Sequence, residues 1–157
     1  MNIQFSHWPE IVLRFLLKFA TRTLYRLRVI DAHHIPEKGG VLLTPNHVSF
    51  IDAILLMAVV KRPIRFIVDL DYYEHPFLKP FMKGLKCIPI SSTGGPKQML
   101  RAMRAAGEYL DAGEVVCIFP EGQLTRTGTL NPFKRGFDRI VRDRHAVIVP
   151  MHLDRVW

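Results

Sequence analysis

Residues 41–60 read VLLTPNHVSFIDAILLMAVV, and this stretch decides the kind of fold. A short apolar run, residues 41–44, is followed by a proline, a polar loop and a second apolar run over residues 49–60. The first run has the length of a buried strand and the second the length of a helix. The stretch therefore predicts a strand, a loop and a helix in succession.

The rest of the chain repeats this alternation. Strand-length apolar runs occupy residues 64–68, 87–90, 115–119 and 146–151. Gly94 and Pro96 open a helix that runs to about Asp111, and residues 137–144 predict another. Strands that alternate with helices predict one α/β domain whose sheet is covered by helices.

A basic, apolar helix is predicted at the N-terminus. Over residues 11–27 apolar side chains recur at helical spacing, and four cations fall four residues apart: Arg14, Lys18, Arg22 and Arg26. Such a helix can lie on a lipid surface, or it can pack on its own domain with the cations in water. The wide apolar arc favours the lipid surface, so we divide the chain into a membrane-associating helix, residues 1–30, and a domain, residues 31–157.

The composition and charge of the chain limit the classes of partner that it can be expected to bind. A chain of 157 residues with 48% apolar and 23% charged residues suits one globular domain. Its formal charge of +8 requires an anionic partner. The cations are dispersed and form no reader motif, so we expect no nucleic-acid binding. Cys87 and Cys117 lie in apolar runs, which predicts buried free thiols in a reducing, cytoplasmic compartment.

His47 and Asp52 are the first candidate site. His47 lies in the loop after a buried strand, and Asp52 lies in the first turn of the following helix. An imidazole accepts a proton at neutral pH, and a carboxylate on its other nitrogen fixes the tautomer. The alternative is that Ser49 caps the helix, Asp52 completes a capping box and His47 is an ordinary loop residue.

A second candidate segment is FPEG, residues 119–122, which follows another buried strand and precedes a loop with three threonines and Arg126. Glycine, hydroxyls and an arginine suit a phosphate-bearing ligand. The alternative is a polar turn that leaves the sheet. His33 and His34 are adjacent and no other His or Cys lies at ligand spacing to them, so we expect no metal.

Together the two segments resemble the 1-acylglycerol-3-phosphate acyltransferase superfamily. NHVSFID, residues 46–52, matches its NHxxxxD signature, and FPEG matches its second signature in the correct order. The strand ending VIVP, residues 147–150, is similar to its last motif, so the resemblance covers residues 41–151. Within the family, residues 44–56 and 119–130 look most like the acyltransferase portion of the bifunctional 2-acylglycerophosphoethanolamine acyltransferase and acyl-carrier-protein synthetase.

The resemblance implies a fold and a set of roles. The fold is a single glycerolipid-acyltransferase-type α/β domain, with a mixed sheet flanked by helices and an N-terminal amphipathic helix. His47 is the general base and Asp52 orients it. The substrate-binding residues are Asn46, Ser49, Phe119, Pro120, Glu121, Gly122, Arg126 and Lys134. No cofactor is implied, since acyl-coenzyme A or acyl-acyl carrier protein is a co-substrate.

Two positions depart from the family pattern. Ile90 and Leu124 stand where the family has arginines, which leaves Arg126 and Lys134 as cations for the acceptor phosphate. These changes suit an acceptor with a larger head group, such as ethanolamine, better than lysophosphatidic acid.

The expected activity is therefore transfer of a fatty acyl group from a thioester to the free hydroxyl of a lysophospholipid, in phospholipid synthesis or remodelling. We expect a peripheral or monotopic protein at the cytoplasmic face of the inner or plasma membrane, with the anionic surface as a partner. The domain is expected to continue beyond Trp157, where a fused synthetase or transporter would follow as in the bifunctional relatives. The competing function is a catalytically silent lipid-binding module, which a thioester-release assay distinguishes.

Overall fold

Strands and helices alternate along the part of the chain that the computed structural model describes, which is residues 15, 16, 19–21, 27–91 and 93–154. The strands are β1 (Gly40–Pro45), β2 (Ile64–Asp69), β3 (Ile88–Ile90), β4 (Val115–Cys117) and β5 (Ala146–Met151). The α-helices are α1 (Asp52–Val59), α2 (Leu70–Glu74), α3 (Lys79–Gly84) and α4 (Gly95–Asp111). Two 3₁₀ turns cover Ala32–His34 and Phe137–Ile140.

The five strands form one sheet in the order β3-β2-β4-β1-β5. The predicted α/β domain is confirmed, but all four strand pairings are parallel, so the expected mixed sheet is wrong in that detail. The physical reason is that each strand is followed by helical segments that carry the chain back to the opposite edge before the next strand begins. All five strands therefore end at the same edge, the carboxyl edge.

Apolar layers cover both faces of the central strands, whereas most of β5 at the sheet edge is exposed or half-buried. On one face, α1 packs on alternate strand residues through Leu56 and Met57, and Val60 follows directly after the helix. On the other face, α4 packs through Ala102, Met103, Ala106 and Leu110, together with Ile140 of the second 3₁₀ turn. Strands buried on both faces need the continuous apolar runs seen in the sequence.

Three predicted boundaries shift by two residues or more. The helix expected from residue 49 begins at Asp52, because its carboxylate binds the amides of Val48 and Ser49 and folds them into a turn. The helix expected over residues 137–144 is a 3₁₀ turn that ends at Ile140, and Asp143 has a φ of 60°. The strand expected to reach residue 119 ends at Cys117.

The N-terminal helix is described in small part. Residues 15, 16 and 19–21 are helical, and Leu27 is not. The four cations Arg14, Lys18, Arg22 and Arg26 lie outside the described residues. Among the helices of the described ranges, none is long and apolar enough to span a bilayer.

Candidate active site

The two signature loops meet because β1 and β4 are neighbours in the sheet. Leu43 of β1 is in register with Cys117 of β4, and the strands are parallel. Each loop leaves its strand at the carboxyl edge, which is where parallel α/β sheets hold their sites. The sequence placed each loop after a strand, but it did not show that those two strands pair.

The imidazole of His47 is held by a buried carboxylate. Its Nδ1 lies 2.9 Å from Oδ2 of Asp52, whose side chain is fully buried. The same oxygen accepts hydrogen bonds from the amides of Val48 at 2.8 Å and Ser49 at 2.9 Å. With Nδ1 donating to this carboxylate, Nε2 carries the lone pair that can accept a proton.

This geometry unites the two interpretations of the sequence. Asp52 reaches back to the amide of Ser49 as the acidic member of a capping box does, and it also binds His47. The hydroxyl of Ser49 makes no capping bond to α1. The helix start therefore serves as the support of the imidazole.

The FPEG loop fixes the main chain and the ring of His47. The amide of His47 donates to Oε1 of Glu121 at 2.8 Å, and its carbonyl accepts from the amide of Thr125 at 2.9 Å. The ring stacks on Phe119 with centroids 3.9 Å apart and planes 18° apart. The side chain of His47 is 20% exposed. Its Nε2 makes no hydrogen bond within the described parts of the chain.

Glu121 is buried and hydrogen-bonded to the backbone of two loops. Its side chain is 2% exposed. Oε1 binds the amide of His47, and Oε2 accepts from the amide of Asn131 at 2.8 Å. Both oxygens are thus committed to backbone donors, which favours positioning of the two loops over direct contact with an acceptor.

Asn46 ties the loop that carries His47, which we call the reacting loop, to the chain just after β5. Its Nδ2 donates to the carbonyl of Leu153 at 3.0 Å, and its Oδ1 accepts from the amide of Leu153 at 2.6 Å. The expected substrate-binding residue is therefore occupied in holding the loop. No pattern in the sequence indicated Leu153 or Asn131, because each contributes through its backbone. Thr125 belongs to the loop with three threonines, but it contacts His47 through its backbone amide.

Lys134 is brought to the FPEG turn, whereas Arg126 is not. The amide of Lys134 donates to the carbonyl of Pro120 at 2.8 Å, and its Nζ lies 3.4 Å from the carbonyl of Gly122. Gly122 has a φ of +62°, and a Cβ there would meet the Lys134 stem at 2.8 Å. Arg126 is exposed and makes no hydrogen bond or ion pair within the described ranges.

The thiols near the site are poor nucleophiles. Burial raises the pKa of Cys87 to about 11. Burial, and then the charge of Asp52, raises the pKa of Cys117 well above its ordinary value. Both thiols are free and buried, as predicted. Within the described residues, no group of three or more His, Cys, Asp or Glu could hold a metal ion.

A parallel α/β domain with a carboxylate-supported imidazole at its carboxyl edge is arranged for acid–base activation of a substrate. The sequence profile of the Acyltransferase family matches residues 26–154, and the chain belongs to that family.

Relatives agree with this assignment. The chain is 24% identical over 159 residues to a probable 1-acyl-sn-glycerol-3-phosphate acyltransferase of Mycoplasma pneumoniae, covering 96% of this chain and 59% of the relative. It is 29% identical to the mouse 1-acyl-sn-glycerol-3-phosphate acyltransferase alpha, covering 89% of this chain and 50% of the relative. The crystal structure of the 1-acyl-sn-glycerophosphate acyltransferase of Thermotoga maritima superposes with a TM-score of 0.66 at 25% identity, covering 84% of this chain and 53% of that one. The chain thus spans about half the length of these relatives.

Proposed function

We propose that this chain transfers a fatty acyl group from an acyl thioester to the free hydroxyl of a lysophospholipid. The observation that carries the proposal is the contact between Nδ1 of His47 and the buried Asp52, which leaves Nε2 to act as a base. In a silent lipid-binding module Asp52 would still begin α1, but nothing would require an imidazole on its carboxylate with Nε2 free of hydrogen bonds within the described chain. The names of the relatives support a lysophospholipid acceptor.

The reaction follows from this pair. Nε2 of His47 takes the proton of the acceptor hydroxyl while the oxygen attacks the carbonyl carbon of the thioester. The C–O bond forms, the C–S bond breaks as the tetrahedral intermediate collapses, and the imidazolium returns its proton to the departing thiolate. Asp52 stabilises the imidazolium and fixes the tautomer. The raised thiol pKa values of Cys87 and Cys117 argue against an acyl-cysteine intermediate.

The acceptor is proposed to carry a head group larger than a bare phosphate, such as phosphoethanolamine. Ile90 and Leu124 offer no charge at the two positions where the resemblance leads one to expect arginines. Lys134 lies beside the FPEG turn and would supply one charge-assisted contact to the phosphate. A phosphodiester needs fewer cations than a phosphomonoester because it carries less charge.

Either an acyl carrier protein or coenzyme A can present the thioester, since the chemistry at the carbonyl is the same. A lipid surface is proposed to bring the acceptor. Exposed aromatic side chains lie in the loop before α1 and in the segment from α2 to α3, and we call them the aromatic patch: Phe50, Tyr72, Phe77 and Phe81. Phe50 meets Tyr72 edge-on with centroids 5.8 Å apart, and α2 packs against α3. Aromatic rings suit the boundary between lipid and water. We place the protein on the cytoplasmic face of the membrane.

The test is lipid mass spectrometry after incubation of the protein with mixed lysophospholipids and both kinds of palmitoyl thioester. Formation of a diacyl product identifies acceptor and donor together. His47→Ala should lower turnover by about 10²- to 10⁴-fold, the usual contribution of a positioned general base. Asp52→Asn should be comparably severe, because an amide can keep the two backbone bonds but cannot stabilise the imidazolium. Near wild-type turnover in either variant would refute the mechanism.

A further inference from the structure

A basic groove lies on the α4 face of the sheet and contains none of the residues around His47. Its floor is apolar and is formed by Pro96, Met99, Leu100 and Met103 of α4. Its rim carries five arginines: Arg104, Arg135, Arg139, Arg142 and Arg144. The larger of its two adjoining depressions has a volume of about 340 Å³, and the smaller about 140 Å³. We call this feature the basic groove.

The charge of the basic groove is only partly neutralised. Arg142 pairs with Asp138 at 3.2 Å, and Arg144 pairs with Asp111 at 3.0 Å. The other three rim arginines have no carboxylate partner among the residues that the structure describes. An anionic occupant would relieve their mutual repulsion.

The shape of the basic groove favours a protein occupant. A site for a small anion encloses its ligand, whereas Arg135 and Arg139 are exposed and the groove is open. Leu100 on the floor is 47% exposed, and the methionines beside it can adapt to an incoming apolar face. Grooves of this kind accept the apolar face of an amphipathic helix. A lipid surface would find its aromatic contacts elsewhere, at Phe77 and Phe81 on the segment around α3.

The basic groove is linked to the FPEG turn through residues 134–136. Lys134 binds the carbonyl of Pro120, and two residues later Gly136 lies against Met103, where a Cβ would be 3.6 Å from the methionine Cε. In addition, α4 begins after β3, at the carboxyl edge that holds His47. A protein seated in the groove would therefore sit beside the edge where the thioester must react.

We infer that the basic groove docks an acidic, amphipathic helix of the protein that carries the acyl thioester. This inference rests on the proposed acyl transfer and names its donor: an acyl carrier protein is recognised on the α4 face, and a coenzyme A thioester is not.

Steady-state kinetics with two donors test the inference. Palmitoyl-acyl carrier protein and palmitoyl-coenzyme A would be compared in the wild type and in the Arg104→Glu, Arg139→Glu double variant. The KM for the carrier-bound donor should rise about tenfold or more, because interface charges control encounter. The kinetics with palmitoyl-coenzyme A should change by less than about twofold. Lys61→Glu is the matched control, since Lys61 is 83% exposed and pairs only with Glu37 at 3.6 Å within the described chain.

Binding of the unacylated holo-carrier protein to an immobilised enzyme supplies a second readout that needs no turnover. The double variant should bind more weakly, and wild-type binding should weaken with salt. Should the double variant fail to fold, Arg139→Ala removes one charge without adding another, and Leu100→Asn tests the apolar floor.

Four results would overturn the inference. In the double variant these are an equal rise in KM with both donors, no rise in KM with either donor, or weaker binding to vesicles. The fourth is a wild type that uses only the coenzyme A thioester. Weaker binding to vesicles would assign the groove to a lipid surface. A wild type that transfers from neither donor refutes the proposed function instead, and carrier binding then still decides the role of the groove.

Discussion

Glu121 joins the loop of His47 to the loop after FPEG through one buried side chain. Its two oxygens join the amide of His47 to the amide of Asn131, so that three separate stretches of chain share one carboxylate. A buried carboxylate is stable in such a place only when hydrogen bonds replace its lost hydration. The acidic residue of FPEG therefore acts on the position of His47.

Glu121→Gln tests this role. An amide offers one acceptor oxygen, so one of the two backbone donors would face an N–H group, and we expect a loss of about 1 to 3 kcal/mol in the free energy of unfolding. The value of kcat should fall because the loop of His47 loosens, while the KM for the acceptor stays unchanged. Glu74→Gln on the surface is the control. A raised KM for phosphorylated acceptors alone would show direct contact.

The two candidate phosphate cations are expected to differ. Lys134→Met keeps most of the stem that lies against Gly122 and removes the charge, so it should cost about 1.5 to 3 kcal/mol in kcat/KM for a lysophospholipid. Arg126→Ala should cost less, because its side chain makes no contact with the turn. A neutral monoacylglycerol should react as fast with each of the two variants as with the wild type. A larger effect at Arg126, or equal slowing of both acceptors, would move the phosphate site elsewhere.

At this scale the sequence predicted the residues better than their contacts. The pair His47 and Asp52 could be found because they lie five residues apart and share a local turn. The bond between His47 and Glu121 joins positions 74 residues apart, and it depends on which strands are neighbours. No local pattern carries that information.

The segment from α2 to α3 has exposed aromatic side chains in α3 and in the turn before it. Phe77 is 83% exposed and Phe81 is 52% exposed. Replacing both by serine should reduce partition onto vesicles of mixed neutral and anionic phospholipid by about tenfold or more, since each ring buried in lipid contributes up to about 1.5 to 3 kcal/mol. Co-sedimentation measures the change. Leu130→Ser, at an exposed leucine of the loop after FPEG, is the control, and an equal loss there would mean that no particular surface meets the lipid.

The elements themselves were largely predictable, because the period of apolar residues is a local property. The five strands lie where apolar runs predicted them, and α4 lies where Gly94, Pro96 and Gly113 mark its limits. Strand order was not predictable. The placement of β4 between β1 and β2 depends on how the layers of α1 and α4 pack.

For the molecule as a whole, labelling of the two buried thiols measures how often the protein unfolds. Cys87 and Cys117 belong to the same apolar layer between the sheet and α1. Alkylation requires a thiolate, and burial raises the pKa of Cys87 to about 11 and that of Cys117 well above its ordinary value. We expect iodoacetamide to label neither thiol of the folded protein at pH 8, and to label both at a rate set by unfolding. Labelling followed by mass spectrometry measures this, and Glu121→Gln should accelerate it. Fast labelling of Cys117 in the stable wild type would contradict the packing.

The bond between Asn46 and Leu153 places an unusual demand on the chain after β5. Asn46 uses only the main-chain N–H and C=O of position 153, whereas the Leu153 side chain packs against the core. Any amino acid with a main-chain N–H can complete the clamp, and proline is the one residue that cannot. Position 153 thus has two separate requirements, an apolar side chain for the core and a main-chain N–H for Asn46.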